Sequence, residues 1–253
     1  MFLLDISDIR IDRDYLMMLE EKKKKLFRYL VYEKKYNNLK LFRTYLKSLH
    51  RLQDLMNLKS ATFEASSKSE AEIYIKNLLN AFDYTIDKII ENNVIRDQKD
   101  LLYLHYITDP EAHKKHPGKY RSSLIMVGKH TAPEPSRIYS FVENMFFNGE
   151  EISNAIMKAI YYHHELVRIH PFADGNGRVA RLVENWVLMH DLYPPLIIST
   201  VKERQAYIKE LSNSFYELEK TPEKINPATT MFFNNQMKRL NNSLDYLYTR
   251  LKM

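Results

Sequence analysis

A chain of 253 residues with an apolar share of 45% can bury one sizeable core, and its 28% of charged residues argue against an oily membrane protein. It holds no cysteine, which excludes disulfides and thiolate ligands and fits a reducing, cytoplasmic setting. The formal net charge of +6 raises the question of an anionic partner.

The opening stretch, MFLLDISDIR, has too short an apolar patch, and acids too early, for a signal peptide. No run of about 18 apolar residues follows, so no membrane partner is expected. Residues 1–57 read as a helical N-terminal region. Leu26, Tyr29 and Leu30 stand at helical spacing, and residues 12–57 predict two helices with a break near Tyr36 to Asn38. The run Lys22 to Lys25 would suit nucleic acid or phosphate, yet a solvated helix face explains it without a partner. No nucleic-acid-binding motif accompanies it, so no nucleic acid is expected.

Residues 58–97 form a second segment. It begins rich in Ser, Ala and Glu, and Ser69 with Glu72 has the pattern of a capping box. A helix should run from there toward Asn92, with Ile73, Ile75, Leu78, Leu79 and Phe82 on its apolar side. The third segment, 98–253, opens with a short helix over 98–109. Residues 116–138 hold Gly118, Gly128 and several prolines around the strand-like run Leu124 to Val127, which predicts an exposed β-hairpin flap. Residues 150–168 predict an amphipathic helix, with His163 toward the core and His164 toward solvent. Another helix follows from about Gly175 to His190, and two more end the chain. The fold class read from this pattern is all-α, a helical bundle with one short hairpin.

The chemistry concentrates in HPFADGNGR, residues 170–178. Pro171 disfavours helical geometry at His170, so the preceding helix should stop there. Gly175 and Gly177 permit unusual backbone angles and close approach of a ligand. The helix that follows offers free N–H groups at its first turn, a site for phosphate. Arg178 and Arg181 can lean over the same helix end. A bare Asp174 carboxylate would repel phosphate, whereas one holding Mg²⁺ would attract it. His170 can act as a base near neutral pH. The parts fit a metal–nucleotide site with a base placed to deprotonate an attacking hydroxyl. A zinc-hydrolase reading fails on spacing, because His164-Glu165 is followed by Arg168 where a second histidine is needed.

HPFADGNGRVAR, His170 to Arg181, resembles the Fic (filamentation induced by cAMP) family motif, His-Pro-Phe-x-Asp/Glu-Gly-Asn-Gly-Arg-x-x-Arg, at every defined position. The resemblance extends over roughly residues 98–235. It implies an all-helical Fic fold and a protein adenylyltransferase, which moves AMP from ATP to a Ser, Thr or Tyr hydroxyl of a target protein. It implies His170 as catalytic base, Asp174 as the Mg²⁺ residue, and Gly175, Asn176, Gly177, Arg178 and Arg181 on the phosphates. Phe172 would anchor the loop in the core. Tyr207 resembles an adenine-facing tyrosine, with Ser214 standing where the family often has Asn. Val127, Gly128, Lys129 and His130 fall in the target-binding flap, whose edge could take the target as an added strand.

The resemblance further implies a brake. Ser60 and Glu64, in SATFEA, have the spacing of the family's N-terminal inhibitory motif, in which a glutamate pairs with the second motif arginine, here Arg181. Glu91 is the competing candidate. Fic relatives also make self-modification and a homodimer natural expectations. Other readings use the same site: de-AMPylation, transfer of another nucleotide or a phosphate group, and a regulatory module that binds nucleotide without catalysis.

Overall fold

The computed structural model describes residues 2–33, 65–109, 116–196, 198, 200–221 and 226–253. Ser60, Glu64 and the expected break near Tyr36 to Asn38 lie outside the described residues. The elements are α1 (Arg13–Arg28), continued by a π turn over Tyr29–Glu33, α2 (Lys68–Ile90), α3 (Gln98–Thr108), β1 (Met126–Val127), β2 (His130–Thr131), α4 (Ile138–Glu150), α5 (Ala155–Ile169), α6 (Asn176–His190), α7 (Val201–Lys220) and α8 (Pro227–Leu251). The all-α class with a small flap is what the chain adopts. Among the described residues, no helix is long and apolar enough to cross a membrane.

Local chemistry sets the helix ends. Asp12 caps α1 by accepting the Tyr15 N–H at 3.0 Å. The cap of α2 is Ser67, which accepts the Glu70 N–H, rather than the expected Ser69. Glu70 explains the earlier start, because its carboxylate reaches back to the Ser66 N–H and hydroxyl. Thr200 and Glu203 form a complete capping box at α7. The strand is shorter than the apolar run Leu124 to Val127. Met126 pairs with Thr131 and Val127 with His130 across a two-residue turn, in which Gly128 has φ +64°.

The helix α5 is the centre of the bundle. It is buried on all sides from Ala159 to Ile169, packed by α4, α6 and α8, so the amphipathic expectation is corrected. Several of its polar residues find partners inside the protein. His163 Nε2 lies 2.7 Å from the Tyr207 hydroxyl, and its Nδ1 lies 2.7 Å from Glu184 of α6. His164, expected toward solvent, is fully buried between Glu165 and Ser214, both at 2.8 Å. An ionised Glu165 can only accept, so His164 Nδ1 donates to it and Nε2 accepts from Ser214. Arg168 completes the group through an ion pair to Glu165 and a hydrogen bond to the Phe2 carbonyl, which draws the start of the chain onto α5.

The lysine run is used within the fold. Lys22 pairs with Asp245 of α8, Lys23 pairs with Asp191, Lys24 pairs with Glu21, and Lys25 lies over the Tyr248 ring. Lys22 and Lys25 thus dock α1 on α8, Lys23 ties it to the residue after α6, and Lys24 stays within α1. The helix α4, which the sequence pattern left unassigned, packs on α5 through Gly149. A methyl group there would overlap the Tyr162 ring.

Gly149→Ala should therefore destabilise the chain by about 1–3 kcal/mol through overpacking, read as a lower denaturation midpoint; a wild-type midpoint would contradict this packing. Burial lowers the His164 pKa from its ordinary 6.5. The unfolded chain then takes up that proton first, so stability is complete above pH 6.5 and declines as pH falls below it. Chemical denaturation between about pH 7.5 and about pH 5.5 should show this decline, and His164→Gln should lessen it, the buried His105 and His170 contributing the remainder. A wild-type profile that is flat or rises over that interval would contradict a buried neutral His164.

Candidate active site

The loop between α5 and α6 begins with a left-handed residue. His170 has φ 50° and ψ 60°, a conformation that costs a non-glycine residue about 1–3 kcal/mol. It ends α5, as Pro171 predicts, and three bonds hold it. Its own N–H donates to Leu166 O at 2.9 Å, Arg121 Nε donates to the His170 carbonyl at 2.8 Å, and the Arg121 N–H donates to Pro171 O at 2.9 Å. The buried Arg121 guanidinium also binds the carbonyls of Ser123 and Pro133, both at 2.6 Å. One side chain thus ties the loop to both arms of the flap.

His170 Nδ1 lies 3.2 Å from the Val167 carbonyl. A carbonyl only accepts, so Nδ1 carries the proton and Nε2 keeps its lone pair. Burial lowers the pKa, with the Arg121 charge adding to it. The ring is therefore neutral and able to accept a proton at neutral pH.

The remainder of the loop is rigid. Phe172 is fully buried, as expected of an anchor. Asn176 binds it reciprocally: the Phe172 N–H donates to Oδ1 at 2.9 Å, and Nδ2 donates to the Phe172 carbonyl at 2.8 Å. The Asn176 side chain is thus a staple and is committed to the loop. Gly175 is the N-cap of α6 at φ +76°, which favours glycine. Asp174 is partly exposed. Its Oδ1 accepts the Gly175 N–H at 2.7 Å and lies 3.7 Å from Arg178. Arg178 is buried, 3.7 Å from Asp109 and 4.1 Å from the centre of the Tyr74 ring of α2. The Arg181 guanidinium lies over Gly177. His170, Asp174, Gly175, Gly177, Arg178 and Arg181 are therefore gathered at the amino end of α6.

Two expected residues have other duties. Tyr207 is 5% exposed with its hydroxyl on His163, which places it in the core and leaves little of its ring for an adenine. Ser214 is buried between His164 and Thr229. In the flap, Gly128 and Lys129 are exposed and Val127 is half-buried, but His130 is 4% exposed. Its Nδ1 lies 2.7 Å from Glu219 and its Nε2 lies 3.0 Å from the Arg168 carbonyl. The His130 side chain therefore holds the flap to α7 and α5 and is turned away from any target on the outer face. Glu91 sits exposed at the end of α2, bonded to Lys88 and Asn93. Asn93 binds Trp186, two turns along α6 from Arg178. Glu91 therefore lies near the Trp186 end of α6 rather than at its first turn.

Sequence reasoning passed over Arg121 as an anchor, Tyr74, Glu219, and His105 beneath the loop. Their partners are distant in sequence, and only Arg121, inside the flap pattern, carried a signal.

The Fic/DOC family model matches residues 95–188. A protein adenylyltransferase Fic from Nematostella vectensis is 32% identical over 144 residues, covering 55% of this chain and 34% of that protein. The structure of Fic-1 from C. elegans aligns with TM-score 0.66 at 18% identity, over 95% of this chain and 73% of that one. IbpAFic2 covalently tethered to Cdc42 aligns with TM-score 0.51 at 16% identity, over 78% of this chain and 63% of that one. The chain spans between 22% and 34% of the length of the curated relatives it matches. Motif, fold and relatives agree that residues 95–188 form a Fic/DOC family domain.

Proposed function

We propose that this chain transfers AMP from ATP to a hydroxyl group of a protein. The observation that carries the reading is the neutral His170 ring, its Nδ1–H committed to Val167 O, in the loop that leads into the first turn of α6. The free N–H groups and dipole of that turn suit the phosphates, and Arg178 and Arg181 add charge. The target oxygen would attack the α-phosphorus while its proton passes to His170 Nε2. A phosphoester bond to the target forms, the bond to the β-phosphate oxygen breaks, and pyrophosphate leaves. Positioning and charge neutralisation would supply most of the acceleration.

Asp174 would hold Mg²⁺. One partly exposed carboxylate fits a metal that takes its remaining ligands from phosphates and water. Bound there, Mg²⁺ would offset the charge of the triphosphate. The relatives named protein adenylyltransferase support AMP as the transferred group, and the Cdc42 adduct of IbpAFic2 supports a protein as acceptor. In the flap, β2 is engaged by Glu219, which accepts the Thr131 N–H. The β1 side presents the exposed Leu124 and Met126, and we assign the extended target segment to that edge. Glu64 is retained as the brake on Arg181.

His170→Ala should lower protein labelling from α-labelled ATP by about 10²- to 10⁴-fold while ATP binding persists. Labelling at the wild-type rate would reject the base. Glu64→Gly should raise self-labelling. No change, with an increase in Glu91→Gly instead, would move the brake to the end of α2.

A further inference from the structure

The ring of His105, on α3, lies under the motif loop, 2% exposed and stacked flat on Phe172 with centroids 3.8 Å apart and planes 5° apart. It makes two bonds in opposite directions. The Gly118 N–H, at the base of the flap, donates to His105 Nδ1 at 2.9 Å. Nδ1 therefore has no proton, Nε2 carries it, and Nε2 donates to the Asp174 carbonyl at 3.1 Å. The chain of contacts does not stop there. The Asp174 carbonyl belongs to the same peptide plane as the Gly175 N–H, and that N–H donates to Asp174 Oδ1. Fixing one end of a planar peptide fixes the other. The geometry around the ring is tight: a methyl group on Gly118 would press on Tyr106 and the Leu102 carbonyl, and one on Gly175 would touch the His105 ring.

We propose that His105 is a positioning residue that sets the Asp174 carboxylate through the Asp174–Gly175 peptide and couples it to the base of the flap. The catalytic meaning of this link rests on the AMP-transfer reading, in which Asp174 carries Mg²⁺ and the flap carries the target. A carboxylate with a fixed rotamer meets the metal without first being ordered, and partners that orient a ligand in this way contribute strongly to metal affinity. The coupling also means that the element gripping the target and the element holding the metal–nucleotide share one rigid bridge.

Three variants separate the two bonds from the packing. His105→Phe keeps the stack on Phe172 and loses both bonds. His105→Gln keeps a donor near the Nε2 position, and His105→Asn keeps an acceptor near Nδ1. Hydrogen exchange should show faster exchange in His105→Phe both at Gly118 and in peptides covering 170–178. His105→Gln should restore protection to the loop alone, and His105→Asn to Gly118 alone. Calorimetry of ATP binding with and without Mg²⁺ should show that His105→Phe loses about tenfold of the gain that Mg²⁺ brings, and that His105→Gln recovers it. Wild-type exchange in both segments of a folded His105→Phe, or an undiminished Mg²⁺ gain, would overturn the proposal. Neither readout requires turnover. Wild-type protein that transfers no AMP would remove the AMP-transfer reading and leave the exchange test standing.

Discussion

The structure depends on the left-handed turn at His170. A residue with a side chain resists that conformation, and here it is imposed by carbonyls that have nowhere else to go. Arg121 donates to the carbonyls of His170, Ser123 and Pro133, on the loop and on either side of the hairpin. Burial of a guanidinium is costly unless its donors are used, and these are spent on backbone oxygens. The flap and the loop are therefore set by a single buried cation. The turn in its place ends α5, sets the imidazole Nδ1 on the Val167 carbonyl, and lets Phe172 and Asn176 lock the rest.

Behind the loop, α5 carries an unusual load of polar groups for a helix with no exposed side. The groups are paired in two sets, His163 with Glu184 and Tyr207, and His164 with Glu165, Arg168 and Ser214. Each set bonds α5 to specific positions on α6, α7 or the N-terminal segment. Apolar packing alone would tolerate small slides of one helix along another, whereas these bonds hold only in one register. The register matters because His170 is the residue after the end of α5 and the amides proposed to bind phosphate begin α6.

Much of the site was legible in the chain because its parts are local. Proline after His170, glycines at 175 and 177 and arginines one turn apart announce a helix stop, a glycine turn into the next helix and two cations on its first turns within one short segment. The α-helical class and most helix spans were legible for the same reason, since helical periodicity is a property of neighbours. What was hidden depends on contacts between distant segments. His164 gave no sign of burial, because Glu165 beside it and Ser214 far along the chain satisfy it together. His130 and Tyr207 sat in the expected motifs, yet their side chains turn inward to Glu219 and His163. The lysine run looked like a surface charge feature, and its partners on α8 and after α6 come from distant segments. The cap of α2 was misplaced by two residues because Ser66, Ser67 and Ser69 all offer hydroxyls, and only the return of Glu70 to Ser66 selects among them.

The account stands or falls on where a nucleotide sits. A crystal structure of the His170→Ala chain with ATP and Mg²⁺ is the most direct test. The account predicts a triphosphate across the first turn of α6, with Asp174 on the metal and the α-phosphate facing the position vacated by the imidazole. A nucleotide bound elsewhere, or one whose α-phosphate faces away from residue 170, would contradict it.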